Sequence, residues 1–266
     1  MATELTDVLT LGKPLNKNRR LRLGARWVAA GVGLAGAAYA TYVGVTWYRY
    51  GHPRRPTPEE EDDLLDRFMP AYEVVDRHYV RVDAPAAVAL VAAQDMDLLH
   101  SPLVRAIIKG RELILGAKPD DRPRPKGLLA EVRSLGWGVL AEVPGREIVV
   151  GGVTKPWEAN PTFRALPPDE FLAFSEPDYV KIVWTLRADP VGAAESIFRT
   201  ETRVMTTDPA ARAKFRRYWS FLSPGIVLIR WISLGPLKAE AERRAHESAR
   251  TTAHRMSPGH VQGLRP

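Results

Sequence analysis

The chain of 266 residues has no cysteine. Disulfides, thiolate nucleophiles and cysteine metal sites are therefore excluded. Histidine is scarce as well, with six in all. His52 falls in a proline-rich linker, and His246, His254 and His260 lie near the C-terminus. A metal centre needs convergent ligands about 2 Å from the ion, and no spacing of His, Asp and Glu suggests one. No glycine-rich phosphate loop is present. Gly151 and Gly152 sit inside a strand-like run, where glycine marks a bulge or a close backbone approach. The formal net charge of +7 raises nucleic-acid binding, but no zinc spacing, RNP-like strand or helix-turn-helix pattern supports it. No cofactor, no metal and no nucleic-acid partner is expected.

Charge is also missing from one long run, Trp27 to Tyr48 (WVAAGVGLAGAAYATYVGVTWY), which Arg26 and Arg49 bracket. About 20 apolar residues cross a bilayer core as a helix. Trp27, Trp47 and Tyr48 stand at its ends, where amphipathic rings favour the headgroup level. The basic residues before it and the small-residue pattern at Ala38 and Ala40 also resemble a signal peptide, but a signal core runs only about 7–15 residues. Length favours a retained, single-pass anchor in the cell membrane, with the lipid bilayer as partner. The Lys/Arg excess of residues 13–26 over the stretch after the span places the N-terminus in the cytoplasm and the domain outside it.

The rest divides by composition. Residues 1–26 form a basic tail, 27–48 the membrane helix, and 49–69 a proline-rich linker with a short acidic helix. Residues 70–245 are one domain of ordinary size, and 246–266 are a polar, disordered tail. Within the domain, Tyr72 to Asp83 reads as a strand. One face carries Val74, Asp76, His78, Val80 and Val82. Asp83 is placed to cap a proline-led helix, and a second helix starts at Ser101 and Pro102. Short strands follow: Trp137 to Val143, Arg146 to Lys155, and Glu170 to Phe174. Tyr179 to Ala188 alternates apolar and polar residues, the mark of a half-buried antiparallel strand. Asp189 to Gly192 reads as its hairpin turn and Glu195 to Thr206 as its partner. Asp208 and Pro209 open a long helix with Phe215, Trp219 and Leu222 on one stripe. Ser223, Pro224 and Gly225 should kink it.

Two polar groupings bear on chemistry. His78 is a lone imidazole whose plainest role is that of a strand residue with a local partner. Glu201, Arg203 and Arg199 form the charged face of the last strand. The simpler reading is a solvated face, with Phe198, Thr200, Thr202 and Val204 pointing inward; a bulge would reverse it. Trp137, Trp157 and Trp184 are large rings on or near the sheet, suited to a cavity wall or to plain core.

The order of elements resembles the START/birch-pollen-allergen helix-grip superfamily, also called SRPBCC, which includes polyketide cyclase-like proteins. Four segments carry the resemblance: YEVVDRHYVRVDAPAAVALVAA, WGVLAEVPGREIVVGGVTKPW, the pair YVKIVWTLRADP and ESIFRTETRVMTTD, and DPAARAKFRRYWSFLSPGIVLIRW. It is most similar to bacterial members; the anchor departs from their soluble form. The resemblance implies an α+β helix-grip fold, an antiparallel sheet curved around a long C-terminal helix. It further implies a cavity for a lipid or other hydrophobic small molecule, with Trp184, Phe198, Phe215 and Trp219 as ligand-binding residues. The expected function is non-enzymatic binding. The alternatives are a cyclase or dehydratase, for which Glu201 and His78 are the only acid–base candidates, and a scaffold with a filled core. No catalytic residue is assigned.

Overall fold

The computed structural model describes residues 17–118 and 125–256, with the side chains of 17–25 and 252–256 left aside. The chain divides into two units, Met1–Val45 and Thr46–Pro266. The first unit is helical from Lys17, and the helix α1 ends at Arg49. Its segment from Arg26 is one of two helices among the described residues long and apolar enough to cross a membrane, and none of its apolar window is buried.

The second unit is α+β. Its sheet has five strands, β1 (Val74–Val82), β2 (Gly138–Val143), β3 (Glu147–Thr154), β4 (Val180–Gly192) and β5 (Glu195–Thr206). All neighbours are antiparallel, in the order β1-β5-β4-β3-β2. Helices α3 (Ala86–Asp95), α4 (Pro102–Leu115) and α5 (Leu128–Ser134) connect β1 to β2. The long helix α7 (Pro209–Met256) closes the fold. Asp208 starts it: its carboxylate accepts from the amides of Ala210 and Ala211, two of the orphan donors of a helix N-terminus. This sheet packed on a terminal helix is the helix-grip arrangement expected from the order of elements.

Register assigns the faces. Opposite residues share a face, so Asp76, Thr202, Trp184 and Val150 form one row across four strands. This inner face packs on α3, α5 and α7. One apolar cluster joins Trp184, Leu186 and Phe198 to Leu90, Leu128 and Leu237. A second, at the other end of the sheet, joins Val74, Val180 and Val204 to Tyr50 and Phe215. The outer face is not open to water. Leu65, Phe68 and Met69, from α2 (Asp63–Asp66) and the residues after it, cover Val149, Val153 and Val183 together with Phe171 of α6 (Pro168–Ala173). The stretch read as a linker is thus part of the folded unit.

Several expectations are corrected. Glu170–Phe174, read as a strand, belongs mostly to helix α6, which Pro168 opens at a position where a missing N–H costs nothing. The capping position of α3 is Pro85, and Asp83 makes no cap; instead its amide donates to Glu242. The β4 strand continues through Asp189–Gly192, so the turn is Ala193 and Ala194. Helix α7 is continuous past Pro224 and Pro236 and runs to Met256, so residues 246–256 of the expected tail are helical. Gly225 serves contact: a Cβ there would lie 2.8 Å from Ile107 Cγ2 of α4. The final ten residues of the expected tail lie outside the described residues.

Candidate functional site between the sheet and the long helix

The inner face is apolar at both ends and polar between. The row Val74–Val204–Ile182 abuts Phe215 and Trp219. The row Val80–Phe198–Ala188 belongs to the other cluster. Between them lie Asp76 beside Thr202 and His78 beside Thr200. Strand periodicity puts these four side chains on the face that meets α7. At the inward positions of β1, β3, β4 and β5, Asp76 and His78 are the only ionisable groups.

Helix α7 answers with one cation. Arg230 Nε approaches Asp76 Oδ2 to 3.5 Å. Burial pushes the guanidinium pKa down, and the Asp76 carboxylate opposes that shift. Asp76 Oδ1 lies 2.9 Å from His78 Nε2, although that approach is not aligned as a hydrogen bond. Four polar atoms here are buried without a hydrogen-bond partner among the described residues: Asp76 Oδ2, His78 Nε2, Thr202 Oγ1 and Arg230 Nη1. An unsatisfied buried polar group costs about 1–3 kcal/mol, more when charged, so most buried polar atoms find a partner. Four in one place make this the candidate polar site of the domain.

The four aromatic residues expected to line one cavity are divided. Trp184 and Phe198 are buried in the cluster with α3, where Trp184 meets Trp137 edge-on at 6.3 Å. Phe215 is buried in the cluster at the other end, with Trp219 beside it at 6.0 Å. They flank the polar rows from two sides. An open groove elsewhere runs between α3 and the C-terminal part of α7, past Val88, Val91, Arg244 and Thr251, and none of the four belongs to it.

Glu201 and His78 do not form an acid–base pair, because Glu201 lies opposite Arg77 and His78 opposite Thr200, on different faces. Phe198, Thr202 and Val204 point inward as expected, yet the charged face of β5 is not solvated. Arg203 is only 1% exposed and Glu201 6%. Arg203 donates to Glu201 at 2.7 Å and to the Met69 carbonyl at 2.8 Å, and it pairs with Asp66. Arg77 holds Glu201 through two bonds, 2.8 and 3.1 Å. Arg199 donates to Asp189 at 3.0 Å. Nearby, burial and then the Asp62 carboxylate push Glu147 up to about 8, while Thr185 donates to it at 3.0 Å. This second charged cluster straps residues 62–69 onto the sheet. Among the described residues, no group of acidic residues and histidines could hold a metal ion.

Sequence reasoning missed Asp76 and Arg230. Their signals were an Asp and a His two apart on an otherwise apolar strand face, and one arginine inside the apolar run IVLIRWISLGPL.

No protein-family model and no curated protein matches the chain. Solved structures similar to it include two aromatase/cyclases. One is an aromatase/cyclase, Zhui, from Streptomyces sp. R1128, at 16% identity and a TM-score of 0.21, covering 64% of this chain and 94% of that one. The other is the di-domain aromatase/cyclase BexL of the BE-7585A biosynthetic pathway, at 17% identity and a TM-score of 0.21. That match covers 65% of this chain and 46% of BexL, so the chain spans about half of that protein. At these scores the fold rests on the chain's own strands and helices.

Proposed function

We propose that this chain is a membrane-anchored binding domain. It holds a small, largely apolar molecule between the sheet and α7, with α1 as the anchor in the cell membrane. The observation that carries the reading is the set of buried polar atoms without a hydrogen bond at Asp76, His78, Thr202 and Arg230, set between two apolar clusters. A filled core would lose stability from each of these atoms. A ligand with an apolar body and one polar group removes that loss. Trp184 and Phe198 would contact its body on one side, Phe215 and Trp219 on the other. Its apolar surface gains roughly 25 cal/mol per Å² on burial, before the cost of association.

The test is to purify the full chain from membranes in detergent, denature it and identify the released molecules by mass spectrometry. The expected result is one compound, or one chemical class, near one per chain. Release of bulk membrane lipids in their host proportions would count against the reading.

The Asp76–His78 approach favours a second reading, proton chemistry of the cyclase type, with His78 as general base beside Asp76. It requires turnover of the released compound that His78→Gln abolishes while binding persists.

A further inference from the structure

The polar atoms at the site have definite hydrogen-bonding senses, and together they select a class of ligand. Arg230 Nη1 can only donate. Asp76 Oδ2, a carboxylate oxygen facing Arg230, can only accept. Thr202 Oγ1 can do either. Because Nη1 is two bonds from Nε, and Nε lies 3.5 Å from Asp76 Oδ2, a single oxygen atom can touch both groups.

The charges are already balanced. Asp76 and Arg230 cancel, and no other ionisable group except His78 occupies the inward positions of these strands. A carboxylate or phosphate entering here would leave a net buried negative charge beside Asp76, and such a charge is strongly disfavoured. An ammonium would leave a net positive charge and would not satisfy Arg230 Nη1. A ketone or ester carbonyl would accept from Arg230 and leave Asp76 Oδ2 unmet. A hydroxyl meets both, since its oxygen accepts from Arg230 while its O–H donates to Asp76.

Resting on the binding reading above, we propose that the ligand is a neutral apolar alcohol, held by its hydroxyl between Arg230 and Asp76 with Thr202 alongside. A site of this kind rejects analogues that lack the hydroxyl or carry a charge in its place, because its own buried groups are then left unpaired.

The experiment compares two probes of equal chain length, 1-decanol and decanoate, by equilibrium dialysis at pH 8. The full chain is held in lipid nanodiscs, and empty nanodiscs correct for partition into lipid. Decanol should bind at least tenfold more tightly than decanoate. In Asp76→Asn the Arg230 charge is uncompensated, so the preference should shift by at least tenfold toward decanoate. Arg230→Met should weaken decanol binding at least tenfold. Equal binding of the two probes to wild type, or tighter binding of decanoate, overturns the assignment of an alcohol and leaves apolar binding standing. If neither probe binds above empty nanodiscs, the binding reading itself falls. The wild-type comparison decides even if a variant fails to fold.

Discussion

Replacing Arg203 by alanine should be among the most damaging single changes on the outer face of the sheet. The guanidinium is almost wholly buried, stands 4.7 Å over the Tyr72 ring, and binds Glu201, Asp66 and the Met69 carbonyl. Its removal leaves a carbonyl without its donor and takes one of two arginines from a buried Glu201. Removing one partner from a buried ion pair costs about 3–5 kcal/mol, because the other charge is stranded. For a domain of about 200 residues each kcal/mol moves the melting temperature by roughly 2–4 °C, so a fall of roughly 6–20 °C is expected. The assay is thermal unfolding of the full chain in detergent, followed by circular dichroism. Asp66→Asn is the control. That carboxylate is 46% exposed, and exposed ion pairs contribute about 1 kcal/mol or less. If the two variants melt within about 2 °C of each other, Arg203 does not fasten residues 62–69 to the sheet and the reasoning fails.

Glu147 gives a pH dependence whose sign follows from its shift. Its pKa is raised from an ordinary 4.5 to about 8, so the folded chain holds a proton that the unfolded chain has lost between those values. Stability therefore falls as pH rises through that window. Glu147→Gln should flatten the trend and be the more stable protein at pH 8.5 in urea unfolding; equal midpoints for the two at that pH would refute it. Gly136 has φ +98°, and a Cβ there would collide with the Phe163 carbonyl oxygen. Gly136→Ala should cost more than about 1–3 kcal/mol, visible as a lower urea midpoint. The α1 anchor predicts that the full-length chain stays in the pellet after carbonate extraction of membranes; its appearance in the soluble fraction would remove the anchor from the account.

What was legible in the sequence was local and periodic. Strand β5 matches its expected bounds, Glu195–Thr206, and α7 begins where Asp208 and Pro209 place it. The alternation in β4 assigned Trp184 and Leu186 to the inner face, and register agrees. The failures share a physical cause, which is that burial depends on partners distant in the chain. Arg203 and Glu201 read as solvated because nothing nearby in sequence covers them; the cover comes from Leu65 and Met69, more than a hundred residues earlier by the numbering. The segment EFLAF is apolar, short and aperiodic, so helix and strand could not be separated on pattern alone. The site itself was half visible. His78 was expected to have a local partner, and Asp76 stands beside it. Arg230 could be placed only by the packing of α7 over β1, which no local pattern encodes.

The central claim is that Asp76, Thr202 and Arg230 surround the polar group of a bound apolar molecule. A crystal structure of the full chain purified from its own membranes tests it most directly. The account predicts non-protein density between β1, β5 and α7, in contact with Arg230 Nη1 and Asp76 Oδ2 and extending toward Trp184 or Trp219. Side chains closed upon one another, with these atoms bonded only to protein and ordered water, would contradict it.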